Sequence, residues 1–562
     1  MTHFRRSALS VALFLALPRP ALACGGFFCS QIPVDQAAER ILFHVDEAAG
    51  TIETHVEITY EGEAPDFSWI VPVPAIPEVL LSSDLMFNSL DPATTPRFQV
   101  NWNFEGECFS DDSAVSSSAT SAGPPSGGGV TIHSQERVGP YETVVLSAAD
   151  STALTDWLTA NGYTLPSGLD TVLAPYASAD SAFIALRLAN GMDSGDLAPI
   201  AFRYAGSRPS IPIQLTAIAA NEDMRLEVTV LGPHRAVPES YLHLTANEAA
   251  IDWTSGGANY TDVVRLAANE AGGHGFATDV AGPAPAYAAN IPTFGGLSGA
   301  RSASDAGEWL NEIGSAGLYG SSLAVVIGQF VEGADADAEA IASCPSCYAE
   351  DYSGVPIDAD AATDAVIEFV VDPTNHARDL LEASEWLTRL TSSLSPVEMT
   401  VDPTFVFNPT LGEVGQVREA TIDVLCGSGA RDTESPLRMT LSDGRIVYLP
   451  PLNWPGSQGQ SMAQFLDSWH LRAAHRIEQS NADGPAAMVF DGDATPDENL
   501  EALNTWVQFT FLGGLDGTTG GVTDPMDETA NEAGAAQGCG CNQSSPPWAA
   551  GLALLALIRR RR

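Results

Sequence analysis

From Arg40 to Val45, and again from Thr51 to Glu61, apolar and polar residues alternate. Ile52, Val56, Ile58 and Tyr60 fall on one side of the second stretch, and Glu53, His55, Glu57 and Thr59 on the other. A period of two places successive side chains on opposite faces of a strand. The pattern therefore predicts a half-buried antiparallel pair with a turn around Glu47 to Gly50. Similar short runs predict strands from Val144 to Leu146, Phe183 to Leu188, Ile211 to Ile218, Leu226 to Leu231 and Leu323 to Val331. One helix follows Ser151 and stops at Asn161-Gly162. Another begins at Thr495, where Pro496 and Glu498 complete a capping box, and two more cover Ala377 to Leu390 and Met462 to Ile477. No regular β-α alternation and no repeat period emerge. The expected fold class is α+β, mainly β, with antiparallel sheets and a few capped helices in two or more domains, rather than a doubly wound sheet or a solenoid.

Composition shifts divide the chain. Ser110 to Gly129 is built of Ser, Ala, Gly and Pro with almost no apolar bulk, so it cannot bury enough surface to order itself. It reads as a linker or long loop. Gly514 to Gln537 is likewise rich in Gly, Thr and Asp and reads as a stalk. Ala267 to Gly299 carries Phe276, Tyr287 and Phe294 among its Gly and Ala and is expected to be an ordered irregular loop. The expected organisation is a signal peptide (1–23), a β-rich N-terminal domain (24–109), the linker (110–129), a central β-rich region (130–340), a C-terminal α+β region (341–513), the stalk (514–537) and a terminal tag (538–562).

Both ends carry processing signals. Arg5 and Arg6 precede an apolar run from Ala8 to Leu17, and Ala21-Leu22-Ala23 supplies an A-x-A cleavage site. Export through signal peptidase, with cleavage after Ala23, is the expectation. Cys24 follows at once, but Ala21 stands where a lipobox wants Leu, so ordinary cleavage is favoured over lipoprotein processing. At the other end Gly538-Cys539-Gly540-Cys541 precedes an apolar stretch from Trp548 to Ile558 and the cluster Arg559 to Arg562. Eleven residues at about 1.5 Å each reach about 16 Å, roughly half of a bilayer's hydrocarbon core. This end resembles MYXO-CTERM sorting signals: a Gly-Cys motif, a short hydrophobic segment and an Arg cluster in that order. The resemblance implies cleavage by a myxosortase-like membrane protease, lipid attachment at Cys539 or Cys541, and anchoring at the cell surface or outer membrane. A short ordinary C-terminal anchor is the alternative.

Charge excludes several functions. The chain holds 25 basic residues, all Arg, against 71 acidic ones, for a net −46. Without the two terminal segments 18 Arg face the same 71 acids, a net −53. Such a surface repels phosphate backbones, so nucleic acid is excluded as a partner. The absence of Lys removes the P-loop lysine, Schiff-base chemistry and the Ser-x-x-Lys nucleophile together.

Cysteine is the most informative reactive residue. Apart from the tag pair there are six, Cys24, Cys29, Cys108, Cys344, Cys347 and Cys426, an even number in an oxidising compartment where disulfides are the default. Short loop closure pairs Cys24 with Cys29 and Cys344 with Cys347, which leaves Cys108 for Cys426, one of fifteen connectivities. Cys344-Pro-Ser-Cys347 has the spacing of a thioredoxin-type motif, but acids crowd it and raise a thiol's pKa, so a structural bridge is expected over redox or zinc chemistry. The histidines are scattered, and no closely spaced ligand set marks a metal site. No Gly-x-Ser-x-Gly elbow and no readable carboxylate pair appear, so no catalytic, cofactor-binding or metal residue is assigned. Calcium is the one cofactor to look for, at Asp335 to Glu339, Asp358 to Asp364 and Asp491 to Glu498, although none fits an EF-hand.

Cys24-Gly-Gly-Phe-Phe-Cys29, Glu39 to Phe43, Tyr60-Glu-Gly62 and the run Phe67-Ser-Trp-Ile-Val-Pro-Val-Pro74 together resemble the secreted bacterial domain-of-unknown-function family numbered 2330. Weaker echoes occur at Trp157 to Tyr163, Thr388 to Leu390 and Met399 to Pro403, so the resemblance spans roughly 24 to 410. It implies export and a shared fold and brings no activity or catalytic residues. Pro72, Pro74 and Pro77 cannot donate ladder hydrogen bonds and so end a strand or place it on an edge. The expected function is that of an exported, surface-anchored acidic protein with a non-catalytic binding, adhesive or envelope-structural role. The alternative is a secreted hydrolase, which a cleft with convergent acids or a Ser-His-Asp set would favour.

Overall fold

The alternation between Arg40 and Glu61 becomes a hairpin. Asp35–Asp46 and Thr51–Glu61 pair antiparallel, Phe43 opposite Thr54 and His44 opposite Glu53. The turn closes at Gly50, whose φ of 67° suits a residue without a Cβ. A computed structural model describes residues 35–61, 68–106, 131–148, 150–161, 169–177, 181–188, 198–218, 220–427, 430–454 and 459–513. The signal segment, linker, stalk and tag, with Ala23, Cys24, Cys29, Cys108, Cys539 and Cys541, lie outside these residues.

The hairpin sits inside a ten-stranded sheet. In spatial order its strands are Ala487–Asp491, Ala474–Gln479, Leu242–Ala246, Gly275–Pro283, Trp386–Leu394, Ala220–Gly232, Asp35–Asp46, Thr51–Glu61, Ile200–Ala205 and Glu78–Leu81. The three regions separated in sequence all contribute strands to this sheet, and every described residue belongs to one unit, Met1–Gly517. Antiparallel pairs dominate, but Asp35–Asp46 runs parallel to Ala220–Gly232 and Leu242–Ala246 to Gly275–Pro283, so the sheet is mixed. With about a third of the chain in helices, the fold is α+β with several sheets.

One face of the sheet is apolar. Ile41, Phe43, Val45, Ile52, Val56 and Phe202 pack against Val71, Val73, Val145, Ile184 and Leu186 of a four-stranded sheet ordered Ser68–Val73, Ala182–Leu188, Tyr141–Ser147, Thr131–Val138. Ser68–Val73 is an edge strand, which is where Pro72 is tolerated. The opposite face lies under helices. Leu42, Leu231 and Leu387 meet Met86, Phe87 and Leu90 of Asp84–Thr94 and Ala377, Leu380 and Leu381 of Asp372–Ala383. A second four-stranded sheet, Arg97–Glu105 with Val417–Leu425, Leu437–Thr440 and Ile446–Leu449, builds a separate core with the helix Tyr260–Glu270.

Several elements differ from the sequence expectations. The run from Leu323 to Val331 is a helix, Ser321–Phe330, buried within a helical layer. A continuous apolar run reads alike for a buried strand and a buried helix. Ile211 to Ile218 forms a short helix, Ile213–Thr216. Ala377 to Leu390 is split by Ser384 into the helix Asp372–Ala383 and the strand Trp386–Leu394. Met462 to Ile477 divides likewise: Ser461 and Gln464 form a capping box for Met462–Ser468, and His470, at φ 51°, ends it before the strand Ala474–Gln479. The last helix, Glu498–Phe511, is capped by Asp497 instead of Thr495. Ala267 to Gly299 holds a central strand, Gly275–Pro283, between helices. The helix after Asp150, Ser151–Ala160, matches its expected bounds.

Candidate functional site

On the apolar side, the ten-stranded sheet and the edge strand Ser68–Val73 do not close completely on each other. A cavity of about 300 Å³ remains, the low end of the range for small-molecule sites. Its walls are Trp69 to Pro74 from the edge strand and its end, Phe43, Val56, Phe202 and Tyr204 from the central sheet, and Pro175, Tyr176, Ile211, Pro212, Leu215 and Thr216 at the rim. Two acids line it, Glu39 and Asp402. Asp402 is already engaged, accepting from the Tyr176 hydroxyl at 2.8 Å and the Gln214 amide at 3.1 Å. Burial, followed by the adjacent Asp402 charge, pushes the Tyr176 hydroxyl far above its ordinary range, so it stays a proton donor. No histidine or cysteine is among the lining residues.

On the helix side, Glu53 and His55 of Thr51–Glu61 do not reach solvent. Glu53 and His55 lie on the same face of the strand, two residues apart, and are 3% and 1% exposed. The helix Asp372–Ala383 covers them. It continues Ala359–Val366 through a π turn, Ile367–Val371, a distortion that often accompanies functional sites. Pro373 lies just past that turn and has no N–H to return to an earlier carbonyl. Thr374 anchors the helix through its hydroxyl to Ser83 Oγ at 2.8 Å, and Ser83 caps Asp84–Thr94. His376 then places its Nε2 2.6 Å from Glu53 Oε1.

Around Glu53 every group has an assigned direction. Oε2 accepts from Arg203 Nε at 2.9 Å and its terminal nitrogen at 2.7 Å. Oε1 faces both histidines. His55 Nδ1 meets Ser82 Oγ at 2.8 Å, which turns Nε2 toward Glu53 Oε1, 3.1 Å away. That approach lies outside hydrogen-bond geometry, and His55 Nε2 has no hydrogen-bond partner. Burial would raise the Glu53 carboxyl, but the hydrogen bond from His376 and the adjacent imidazoles of His376 and His55 outweigh it and hold the group well below the usual carboxylate range. The Glu53 hydrogen bond raises His376 in turn. Glu53, His55 and His376 offer three ligand atoms within 4.8 Å of one another.

The same face holds further buried charge. Arg389, 2% exposed, lies 2.8 Å from Asp91, 2.9 Å from Glu227 and 3.2 Å from Asp279. Asp279 also accepts from the Tyr260 and Thr391 hydroxyls, each at 2.5 Å. Glu57 pairs with Arg40, but burial pushes its carboxyl up to about 7.

Other residues singled out from the sequence are placed apart from both regions. Cys344 and Cys347 form a disulfide with a Cα separation of 5.4 Å in the helical layer. Cys426 is also disulfide-bonded, to a residue outside the described ones. Asp335 to Asp337 form a short 3-10 turn, and the other two acidic clusters are engaged locally. Asp358 caps its helix, Asp360 and Asp364 pair with Arg301, Asp491 accepts from the Asp493 amide, and Asp493 pairs with Arg476. His470 follows the helix Met462–Ser468 and His475 lies on the strand Ala474–Gln479, whereas the expected helix from Met462 to Ile477 held both. Glu53, His55 and His376 were not assigned from sequence. Glu-x-His on a strand was the available signal, since it puts both groups on one face, but His376 is 323 residues from Glu53 and no local spacing announces it.

No curated protein matches the chain, and no solved structure does. A family match spans residues 18–293. The echoes at Thr388 to Leu390 and Met399 to Pro403 fall outside it, as does His376. That span, which carries the central hairpin and every cavity-lining residue except Asp402, matches the family described as an uncharacterized protein conserved in bacteria (DUF2330).

Proposed function

We propose that this is an exported, envelope-anchored binding protein whose ligand enters the cavity between the two sheets. The carrying observation is that the Trp69 to Pro74 run, part of the N-terminal signature of the family resemblance, forms one wall of that cavity. Aromatic rings, prolines and branched aliphatics supply most of the lining. Such walls favour an apolar or aromatic group, while Tyr176 and Asp402 offer a polar end to orient it. Export rests on the segment ending at Ala23, and retention rests on lipid attached at Cys539 or Cys541 after the tag is cleaved. An acidic body on a stalk stays clear of anionic headgroups, which suits a ligand-capturing module held at the surface.

The cavity is tested by titrating the mature protein with 1-N-phenylnaphthylamine, a neutral apolar fluorophore. Saturable uptake near one equivalent is expected, and Thr216→Trp, which fills the rim, should abolish it while leaving the melting temperature within a few degrees. Uptake that never saturates, or that Thr216→Trp leaves intact, would overturn the reading. Turnover of ester or glycoside substrates that Asp402→Asn removes would establish the hydrolase alternative instead.

A further inference from the structure

The geometry points to a site for one divalent first-row transition ion, of the zinc class, held by Glu53 Oε1, His55 Nε2 and His376 Nε2 on the helix-covered face of the central sheet. It goes beyond the cavity reading and shares no residue with it. Two imidazoles and a carboxylate are a donor set suited to zinc and its neighbours, and three protein ligands leave a further position open.

Four features support it. The ligand atoms already stand near the separation a shared ion imposes: 3.1 Å from His55 and 2.6 Å from His376 to the same carboxylate oxygen. Bonds of about 2.0–2.2 Å at tetrahedral angles put such atoms roughly 3.3 Å apart, so binding needs His376 to withdraw by less than about 1 Å. Next, His55 Nε2 is aimed at this point from a residue 1% exposed and finds no hydrogen bond there. A buried imidazole nitrogen without a well-formed hydrogen bond is costly, and a metal ion would satisfy it. Outer partners are also in place. Ser82 fixes the His55 ring through Nδ1 and Arg203 occupies Glu53 Oε2, which directs the remaining donors inward as second-shell groups do in metal centres. Finally, His376 is 37% exposed, giving an ion a route in and an open side.

A competing account is an ion cluster complete in itself, with Glu53 bridging the imidazoles and Arg203. Zinc binding by the full mature chain, disulfides intact and freed of metal by a chelator, separates the two. Titration with Zn²⁺ against a chromophoric competitor should give one ion per chain. His376→Ala, a half-exposed position that spares the core, should weaken binding at least 100-fold, and Ser82→Ala roughly 10- to 100-fold through the outer partner. Co²⁺ in place of zinc should show visible d–d bands that His376→Ala removes, a signature that weak binding by surface carboxylates does not share. Zinc should raise the melting temperature of the wild type and not of His376→Ala, because an ion that binds only the folded state stabilises it. Substoichiometric zinc at micromolar concentrations, or a His376→Ala variant that binds as well as the wild type, would establish the self-contained ion cluster and overturn the metal site. A failure of apolar-probe binding with these results intact would count only against the cavity.

Discussion

The two faces of the ten-stranded sheet are built from the same strands and are held by different physics. On the cavity side the inward residues of the hairpin are Ile41, Phe43, Val45, Ile52 and Val56, packed on a second sheet. Burial there depends on volume and area removed from water, at about 25 cal/mol per Å². On the helix side the alternate residues of the same strands are Leu42 together with Arg40, His44, Glu53, His55 and Glu57. The strands beyond add Glu227, Arg389 and Asp279. Charge buried in that way is stable only when each group has its partner. An apolar interface tolerates imperfect packing and so leaves room for a cavity. A charged one requires specific geometry, and it is here that histidines and a carboxylate converge.

The difference can be broken or sharpened by substitution. Arg389→Ala should have the largest effect. Removing the cation leaves buried Asp279 without its ion-pair partner and Glu227 with Arg225 alone, at a cost of about 3–5 kcal/mol. Urea unfolding at pH 7 measures it, and a loss below about 1 kcal/mol would show that the face is not held by its charges.

Glu57→Gln should come next and carry a pH signature. The folded carboxyl sits at about 7, above its ordinary 4.5, so the native state prefers it protonated. Stability from this group is therefore fully present below about pH 4.5 and is lost as pH rises through 7. Glutamine keeps the neutral form at every pH. The stability difference between variant and wild type should thus move in the variant's favour by up to about 3 kcal/mol from pH 4.5 to pH 8. A difference that stays constant with pH would mean that Glu57 is ionised throughout.

The smallest effect belongs to the apolar face. Ile52→Val, at a fully buried position, should cost about 0.5–1.5 kcal/mol, equally at pH 5 and pH 8. A pH-dependent loss there would show that the two faces are coupled and not separately held.

The contrast also marks what the sequence made legible. Alternation of period two located Thr51–Glu61 to the residue and sorted its side chains onto the right faces. It did so because strand periodicity is a local property of the backbone. The helix starts after Ser151 and at Met462 were legible by the same local logic, and Asp150 and Ser461 cap them. Pattern was silent on what would cover each face. The polar side of this hairpin reads as solvent-facing in the sequence, yet Asp372–Ala383, more than 300 residues later, closes over it.

What the sequence determined by itself is whatever neighbours within a few residues dictate. That includes the hairpin and its turn, the proline-limited edge strand, the Cys344–Cys347 bridge of short loop closure, and a strongly negative net charge. Tertiary structure alone decided the rest. It joined strands from three sequence regions into one sheet and turned the apolar run at Ser321–Phe330 into a helix. It carried His376 to Glu53 and His55, and gathered three acids around Arg389. These outcomes depend on which surfaces meet across hundreds of residues. A buried charge keeps its ionised form only if a distant partner arrives, and nothing in its own stretch of chain records that arrival.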